Sequence, residues 1–271
     1  MYVLDVTSGA TVRLGTFLFF LALFLGLEFF IPRRVASTHK YYRWLNNFGI
    51  SALNSALVAS LLPLVGIGAA VLAQQKNWGL FNQLSAPLML SIPLYIVFFD
   101  LTIYLQHRLF HKIKFLWLLH RVHHTDLDYD VSTGVRFHPL SVLVSAMIKF
   151  ALILTLGPPV MAVLISEIIL NATSMFNHSN ISIPNRVDRI LRVFLVTPDM
   201  HRVHHSTKHT EHNQNFGFNF PWWDRLLGTY KDQPNEGHET MKIGLKEYGK
   251  QESIGICSLL LQPFRQNRKE Q

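Results

Sequence analysis

Five apolar stretches divide the chain: residues 16–31, 49–73, 86–105, 140–156 and 160–176. As helices, each matches or approaches the length needed to cross a hydrocarbon core of about 30 Å. The first three predict full spans. The last two are separated only by Gly157-Pro158-Pro159, a tight breaker, and histidine-rich segments lie on both outer flanks. That pair predicts a helical hairpin that enters and leaves on one side, spanning or re-entrant. The first stretch predicts a retained helix. Only Arg13 precedes it, and it runs into Phe29-Phe30-Ile31-Pro32-Arg33-Arg34 without a small-residue cleavage site. Residues 177–230 are polar and rich in His, Asn and aromatics, which predicts a cap on the bundle. Residues 254–264 are apolar but too short to span, and predict either an interfacial or a packed helix. The expected fold is all-α: an integral membrane helical bundle of three spans plus a hairpin, topped by a cytosolic histidine-rich helical cap. Its regions are an N-terminal transmembrane part (1–93), a histidine-bearing part (94–230) and a cytosolic C-terminal tail (231–271), expected as one structural unit.

Composition agrees. The 271 residues are 49% hydrophobic and only 15% charged, with mean hydropathy +0.21. A soluble domain carries about a quarter charged residues. The net charge of +8 would suit nucleic acid, but the cations sit in loops. Arg33, Arg34, Lys40 and Arg43 follow the first stretch, Arg108, Lys112, Lys114 and Arg121 the third, and Arg186, Arg189, Arg192 and Arg202 the fifth. Between the second and third there is only Lys76. By the positive-inside rule the basic loops face the cytoplasm, the N-terminus lies outside, and the histidine clusters are cytoplasmic. The expected setting is a bacterial inner membrane, or the endoplasmic reticulum in a eukaryote, with no nucleic-acid partner. The single Cys257 excludes an internal disulfide framework.

The chemistry concentrates in three clusters: His107-Arg108-Leu109-Phe110-His111, His120-Arg121-Val122-His123-His124 and His201-Arg202-Val203-His204-His205. Spacings of three and four put the imidazoles of each cluster on one helix face. Eight imidazoles exceed the needs of one tetrahedral zinc and suit two ions side by side. A zinc hydrolase would place Glu directly after the first His and a second His at i+4. His238-Glu239 has Lys242 at that position, so the signature is absent. The clusters also lack the carboxylate ligands of bundle-type di-iron sites. An all-nitrogen set fits non-haem iron that activates O₂. A membrane zinc metallohydrolase and a non-enzymatic metal transporter stand as the alternatives. A transporter would place ligands near the bilayer midplane, whereas these lie at span ends.

In order and spacing the clusters resemble the three histidine boxes of the fatty acid hydroxylase and sterol desaturase superfamily. The resemblance extends to Arg136-Phe137-His138-Pro139, Phe176-Asn177-His178-Ser179-Asn180, Thr197-Pro198-Asp199-Met200, Asn215-Phe216-Gly217 and residues 222–230. It covers roughly 94–230. It implies a cytosol-facing di-iron centre, O₂ as co-substrate, and hydroxylation or desaturation of a lipid (sterol, fatty acyl or related) with electrons from a separate electron-transfer protein. It implies His107, His111, His120, His123, His124, His201, His204 and His205 as metal ligands. His178, at the end of the fifth stretch, is the expected ninth and His138 the tenth. Where some relatives carry a further histidine, this chain has Ser174. No catalytic side chain beyond the ligands is expected, and no Gly-rich motif for a flavin or nicotinamide is present.

Metal-bound imidazoles usually donate their other N–H to a carboxylate or carbonyl, and Asp100, Asp126, Asp199 and Asp224 are candidates for that role. Asp126 and Asp199 read equally well as a cap or surface charge. Trp222 and Trp223 are expected along a lipid channel or at the interface. His209 and His212 read as exposed or substrate-side, and His39 and His238 as surface. Lys149 and Glu167 each stand nine residues from Pro158, roughly 13 Å from the hairpin tip at 1.5 Å per residue, so they share a depth. The two are expected to pair across the hairpin. The competing arrangement has Lys149 snorkelling and Glu167 turned towards the Asn171 stripe.

Overall fold

The computed structural model describes residues 6–36, 40–248 and 254–265; His39 lies outside them. The described residues form helices and two isolated antiparallel bridges, Pro32 with Ile181 and Ser206 with Ile243. Helix α1 (Val6–Phe30) packs along α8 (Val160–Asn177), and α5 (Leu88–Lys112) packs against α7 (Pro139–Leu156), α8 and α6 (Lys114–His124). Among the described residues four helices are long and apolar enough to cross a membrane: Gly9–Phe30, Leu88–Lys112, Pro139–Leu156 and Val160–Asn177.

The second apolar stretch is not one span. Helix α2 starts earlier, at Lys40, and stops at Leu61. Residues 62–66 break it, and α3 (Ile67–Gln75) resumes. Pro63 lacks a backbone N–H, and Gly66 sits at φ 80°, a left-handed value that favours glycine. Helix α2 buries Arg43, Asn46, Asn47 and Asn54 on its inner face. Arg43, Asn46 and Asn47 precede the apolar stretch, and only Asn54 lies within it. Asn54 of α2 lies beside the loop that precedes α7, donating to the Phe137 carbonyl at 2.8 Å. Gly79, which follows α3, lies against Gly157 at the hairpin tip. The chain thus covers the depth of the bundle in two helical pieces.

The hairpin forms as expected. Gly157 caps α7 in the left-handed conformation (φ 61°, ψ 51°), and Pro159 precedes α8. Glu167 pairs differently from expectation. Its direct partner is Arg13 of α1, at 3.0 Å. The pair links α1 to the hairpin, while Lys149 and Glu167 form no ion pair within 4.0 Å. The intramembrane core gathers Tyr95, Phe99 and Ile103 of α5 with Ile153, Ala162 and Val163 of the hairpin and Ala69 and Ala70 of α3. The C-terminal helix α13 (Ile256–Leu261; α4 is Leu80–Gln83, α9 Asn185–Leu191, α10 Pro198–His204, α11 His209–His212 and α12 Trp222–Leu226) packs against the bundle. Its Leu259 is buried with Ile50 and Val122, which selects the packed over the interfacial arrangement.

Candidate metal centre

The ends of α5, α6, α8 and α10 converge on nine histidines. They form two groups whose ligand atoms lie within 4.8 Å of one another: His107, His111, His120, His124 and His204 in one, His123, His178, His201 and His205 in the other. All eight box histidines and His178 are brought together. His138 is not. Its Nδ1 accepts from the Leu140 N–H as the cap of α7, and its Nε2 donates to the Leu260 carbonyl at 3.2 Å. The proline at 139 starts a helix there, and capping that helix turns the ring away from the groups.

Four imidazoles are oriented by backbone carbonyls. His107 donates Nδ1–H to Phe216 (2.9 Å), His204 to Gln214 (2.8 Å), His178 to Ser174 (2.8 Å) and His123 to Arg136 (3.3 Å). Each neutral ring then has only a lone pair at Nε2. Yet Nε2 of His107 lies 3.0 Å from Nε2 of His204, and Nε2 of His123 lies 3.1 Å from that of His178. Two lone pairs cannot hydrogen-bond one another. A shared cation satisfies both: two nitrogens about 2.1 Å from one ion at a right angle lie about 3.0 Å apart. His111 and His124 approach at 3.1 Å, and His124 and His120 at 3.3 Å. Both ring nitrogens of His201 and His205 are buried without a hydrogen-bond partner. The donor set therefore fits two metal ions, one per group.

Electrostatics agree. Burial, then the neighbouring imidazoles, pushes His120, His123, His124, His201, His204 and His205 well below the usual imidazole value. Burial brings His178 down to about 3. Neutral imidazole is the form that ligates.

The four carboxylates singled out above do not touch the rings; they fix what does. Asp224 accepts from the N–H groups of Phe216 (2.8 Å) and Gly217 (2.7 Å), holding the loop that serves His107. Asp100 accepts from Asn219 N–H (3.1 Å) and the Trp223 indole (2.7 Å). Asp126 pairs with Arg43 at 2.6 Å and accepts from Thr133 at 2.9 Å, while Asp199 pairs with Arg202 and Arg33. Asn215, at φ 54°, turns the carbonyls on either side of it towards different histidines, a left-handed position Asn tolerates. Gly134 lets the second-box loop lie on His178: a Cβ there would meet the Ser174 carbonyl at 2.7 Å.

Two features escaped the sequence, and a third, His212, reads from sequence as either exposed or substrate-side. Arg43 and Asn47, one turn apart on α2, bind the second-box loop: Asn47 accepts from Arg136 (3.2 Å) and donates to Ser132 (3.0 Å). Their four-residue spacing was the available signal. His212 is half-buried, its ring 5.0 Å from His111 and 4.9 Å from Trp117, and burial lowers it to about 4. His238 is buried near Asp199 (3.6 Å) and is not a surface residue. Apolar rings close the site: Phe137 stacks on His123 at 4.5 Å, and Phe218 lies 6.1–6.3 Å from His201, His178 and His107. Phe218 also packs on the core between the apolar helices, so it lies between the histidines and that core.

The family model for fatty acid hydroxylases matches residues 92–229, half of the chain. The ornithine lipid hydroxylase of Rhizobium tropici is 31% identical over 186 residues, 68% of this chain and 54% of that protein. The human alkylglycerol monooxygenase is 30% identical over 132 residues, 49% of this chain and 28% of that protein. The Xenopus tropicalis alkylglycerol monooxygenase is 25% identical over 68% of this chain and 41% of that protein. The chain thus spans about half the length of these relatives, or less. No solved structure matches.

Proposed function

The chain belongs to the fatty acid hydroxylase family, and on that premise we propose that it is a membrane di-iron oxygenase that hydroxylates the apolar chain of a lipid. The paired Nε2 atoms at 3.0 and 3.1 Å, each on a ring whose other nitrogen is already committed to a carbonyl, carry the reading. Irons in the two groups would supply reductive O₂ activation: one oxygen would enter a C–H bond and the other leave as water, using two electrons from a separate protein and two protons from solvent.

The protein's own part is orientation and exclusion. The carbonyls of Phe216, Gln214, Ser174 and Arg136 fix four ring tautomers. Nine clustered imidazoles, eight of them buried, make up the two groups, with no carboxylate among them. The phenyl rings of Phe137, Phe216 and Phe218 keep bulk water from the site and present an apolar wall to a chain arriving from the core side. The names of two relatives, an ornithine lipid hydroxylase and an alkylglycerol monooxygenase, favour hydroxylation over desaturation. Arg34, Lys112 and Arg186 all lie at the histidine end of the bundle, and under the positive-inside rule this charge supports a centre on the cytoplasmic face.

Anaerobically purified protein is expected to bind about two irons per chain. With a reductant it is expected to consume O₂ and add one oxygen to a bound lipid, read by mass spectrometry under ¹⁸O₂. Unlabelled product, or turnover of the zinc-loaded protein without O₂, overturns the oxygenase and points to a hydrolase.

A further inference from the structure

On the flank of the cap, α9, α12 and residues 230–233 enclose a cavity of about 150 Å³ with no histidine in its wall. The wall carries both signs of charge: Arg189, Arg192 and Arg225 against Asp188 and Asp232. Arg192 and Asp188 are 3% and 7% exposed. They pair through Nε and Oδ2 at 2.5 Å, and Nη1 of Arg192 reaches Asp232 at 3.0 Å. Beyond the ion pair, Nη2 of Arg192 and Oδ1 of Asp188 are buried without a hydrogen-bond partner. Such atoms are costly to bury and are normally satisfied. An open cation donor beside an open carboxylate acceptor is complementary to a ligand that offers an anion and an ammonium together.

The surroundings identify where that ligand comes from. Beside the cavity stand Ile190 (65% exposed), Phe194 (59%), Val193 (52%) and Leu226 (73%). The Trp222 indole donates to the Val193 carbonyl at 2.9 Å, joining α9 and α12 into one apolar ridge. The adjacent Trp223 donates to Asp100, inside the α5 span. The ridge therefore stands at a level the membrane-crossing helix occupies, where apolar side chains meet lipid.

We propose that this cavity binds a lipid headgroup carrying both a phosphate or carboxylate and a primary ammonium, with the lipid chains lying along the ridge. The anion takes Arg192 Nη2 and Arg189. The ammonium takes Asp188 Oδ1 and Asp232. The proposal rests on the lipid-oxygenase reading and names the headgroup class that the enzyme selects. The site is one loop away from the metals: Lys231 N–H donates to Asn215, and the next residue, Phe216, holds His107.

The test uses the full-length protein in detergent, with retained lipid counted by native mass spectrometry. The probes are lysophosphatidylethanolamine, lysophosphatidylglycerol and monoacylglycerol, with soluble phosphoethanolamine as competitor. Wild type is expected to retain the ethanolamine lipid about tenfold over monoacylglycerol, as charge-assisted hydrogen bonds imply. Asp188→Asn is expected to erase its advantage over the glycerol phospholipid. Arg189→Gln, at an exposed position that does not threaten folding, is expected to lower retention of both phosphate-bearing lipids several-fold. Equal retention of all three lipids, a preference of wild type for the glycerol phospholipid, or Arg189→Gln behaving as wild type overturns the proposal. Phosphoethanolamine competing as well as the lysolipid assigns the cavity to a soluble ligand and overturns its lipid source. The readout needs no iron and no turnover, so its failure is separate from failure of the oxygenase reading.

Discussion

Acid should undo this protein through its histidines, and the size of the effect can be worked out. Seven of the nine clustered imidazoles lie outside the α5 span: His120, His123, His124, His178, His201, His204 and His205. Burial holds them below the unfolded value of about 6.5, with His178 near 3. The unfolded chain then binds more protons than the folded one below pH 6.5. Stability is therefore intact above that value and falls as pH drops through 6.5 towards the folded values. At pH 5.5 each imidazole kept neutral costs about 1.4 kcal/mol, and at pH 7.5 about 0.1. Seven acting independently cost about 10 kcal/mol, as much as the whole net stability of an ordinary domain. The assay is thermal unfolding of detergent-solubilised protein, chelator-stripped or iron-loaded, from pH 7.5 to 5.5. Stripped protein is expected to lose its cooperative transition by pH 5.5. Loaded protein is expected to survive further into acid and then release metal as it melts, because ligand protonation and metal binding compete. If the stripped protein melts at the same temperature at both pH values, the imidazoles are not held neutral by burial, and the electrostatic account of the centre is wrong.

Four substitutions separate the roles assigned above. His178→Ala is expected to lower iron from about two to about one per chain and abolish turnover while the fold survives, since it removes one of four ligands from the second group; unchanged metal content would remove His178 from the set. His138→Ala is expected to keep both metals and wild-type turnover while losing about 1 kcal/mol of stability with the α7 cap, measured by urea titration against iron content. Gly134→Ala is expected to cost about 1–3 kcal/mol and reduce bound metal, because the added methyl displaces the Ser174 carbonyl that orients His178; metal content equal to wild type would mean the loop shifts without disturbing the ring. Phe218→Ala is expected to retain metal but change the position of hydroxylation, read from product fragmentation, because the ring stands between the histidines and the intramembrane core.

What the sequence displays and what it hides follow from how local each signal is. The boxes were legible because a ligand pair at i, i+3 or i, i+4 is fixed by one helix, and His107 with His111 or His120 with His124 needs no tertiary knowledge to share a face. His178 was legible for a related reason: it ends an apolar helix whose other end is fixed by the Gly157 turn, so its height in the bundle was already determined. His138 misled because proximity in sequence to a box does not fix direction. The proline after it starts a helix, and the ring serves as that helix's cap. The second apolar stretch misled because hydropathy weighs composition and not which face is used. Of the polar residues that α2 buries only Asn54 lies inside 49–73; Arg43, Asn46 and Asn47 precede it, so a window average over the stretch sees a span where the structure has a helix that begins at Lys40 with a polar inner face and breaks at 62–66. The carboxylates show the deepest limit. Expected on the rings, Asp224 and Asp100 bind backbone N–H groups of the 216–219 loop, whose Phe216 carbonyl holds His107, while Asp126 and Asp199 pair with arginines. Carbonyl acceptors are common to every residue, so no residue type marks them. A chain that uses its backbone to orient its ligands leaves only the supporting aspartates, asparagines and glycines as a written trace, and Asn215, Gly134 and Asp224 are where that trace can be read.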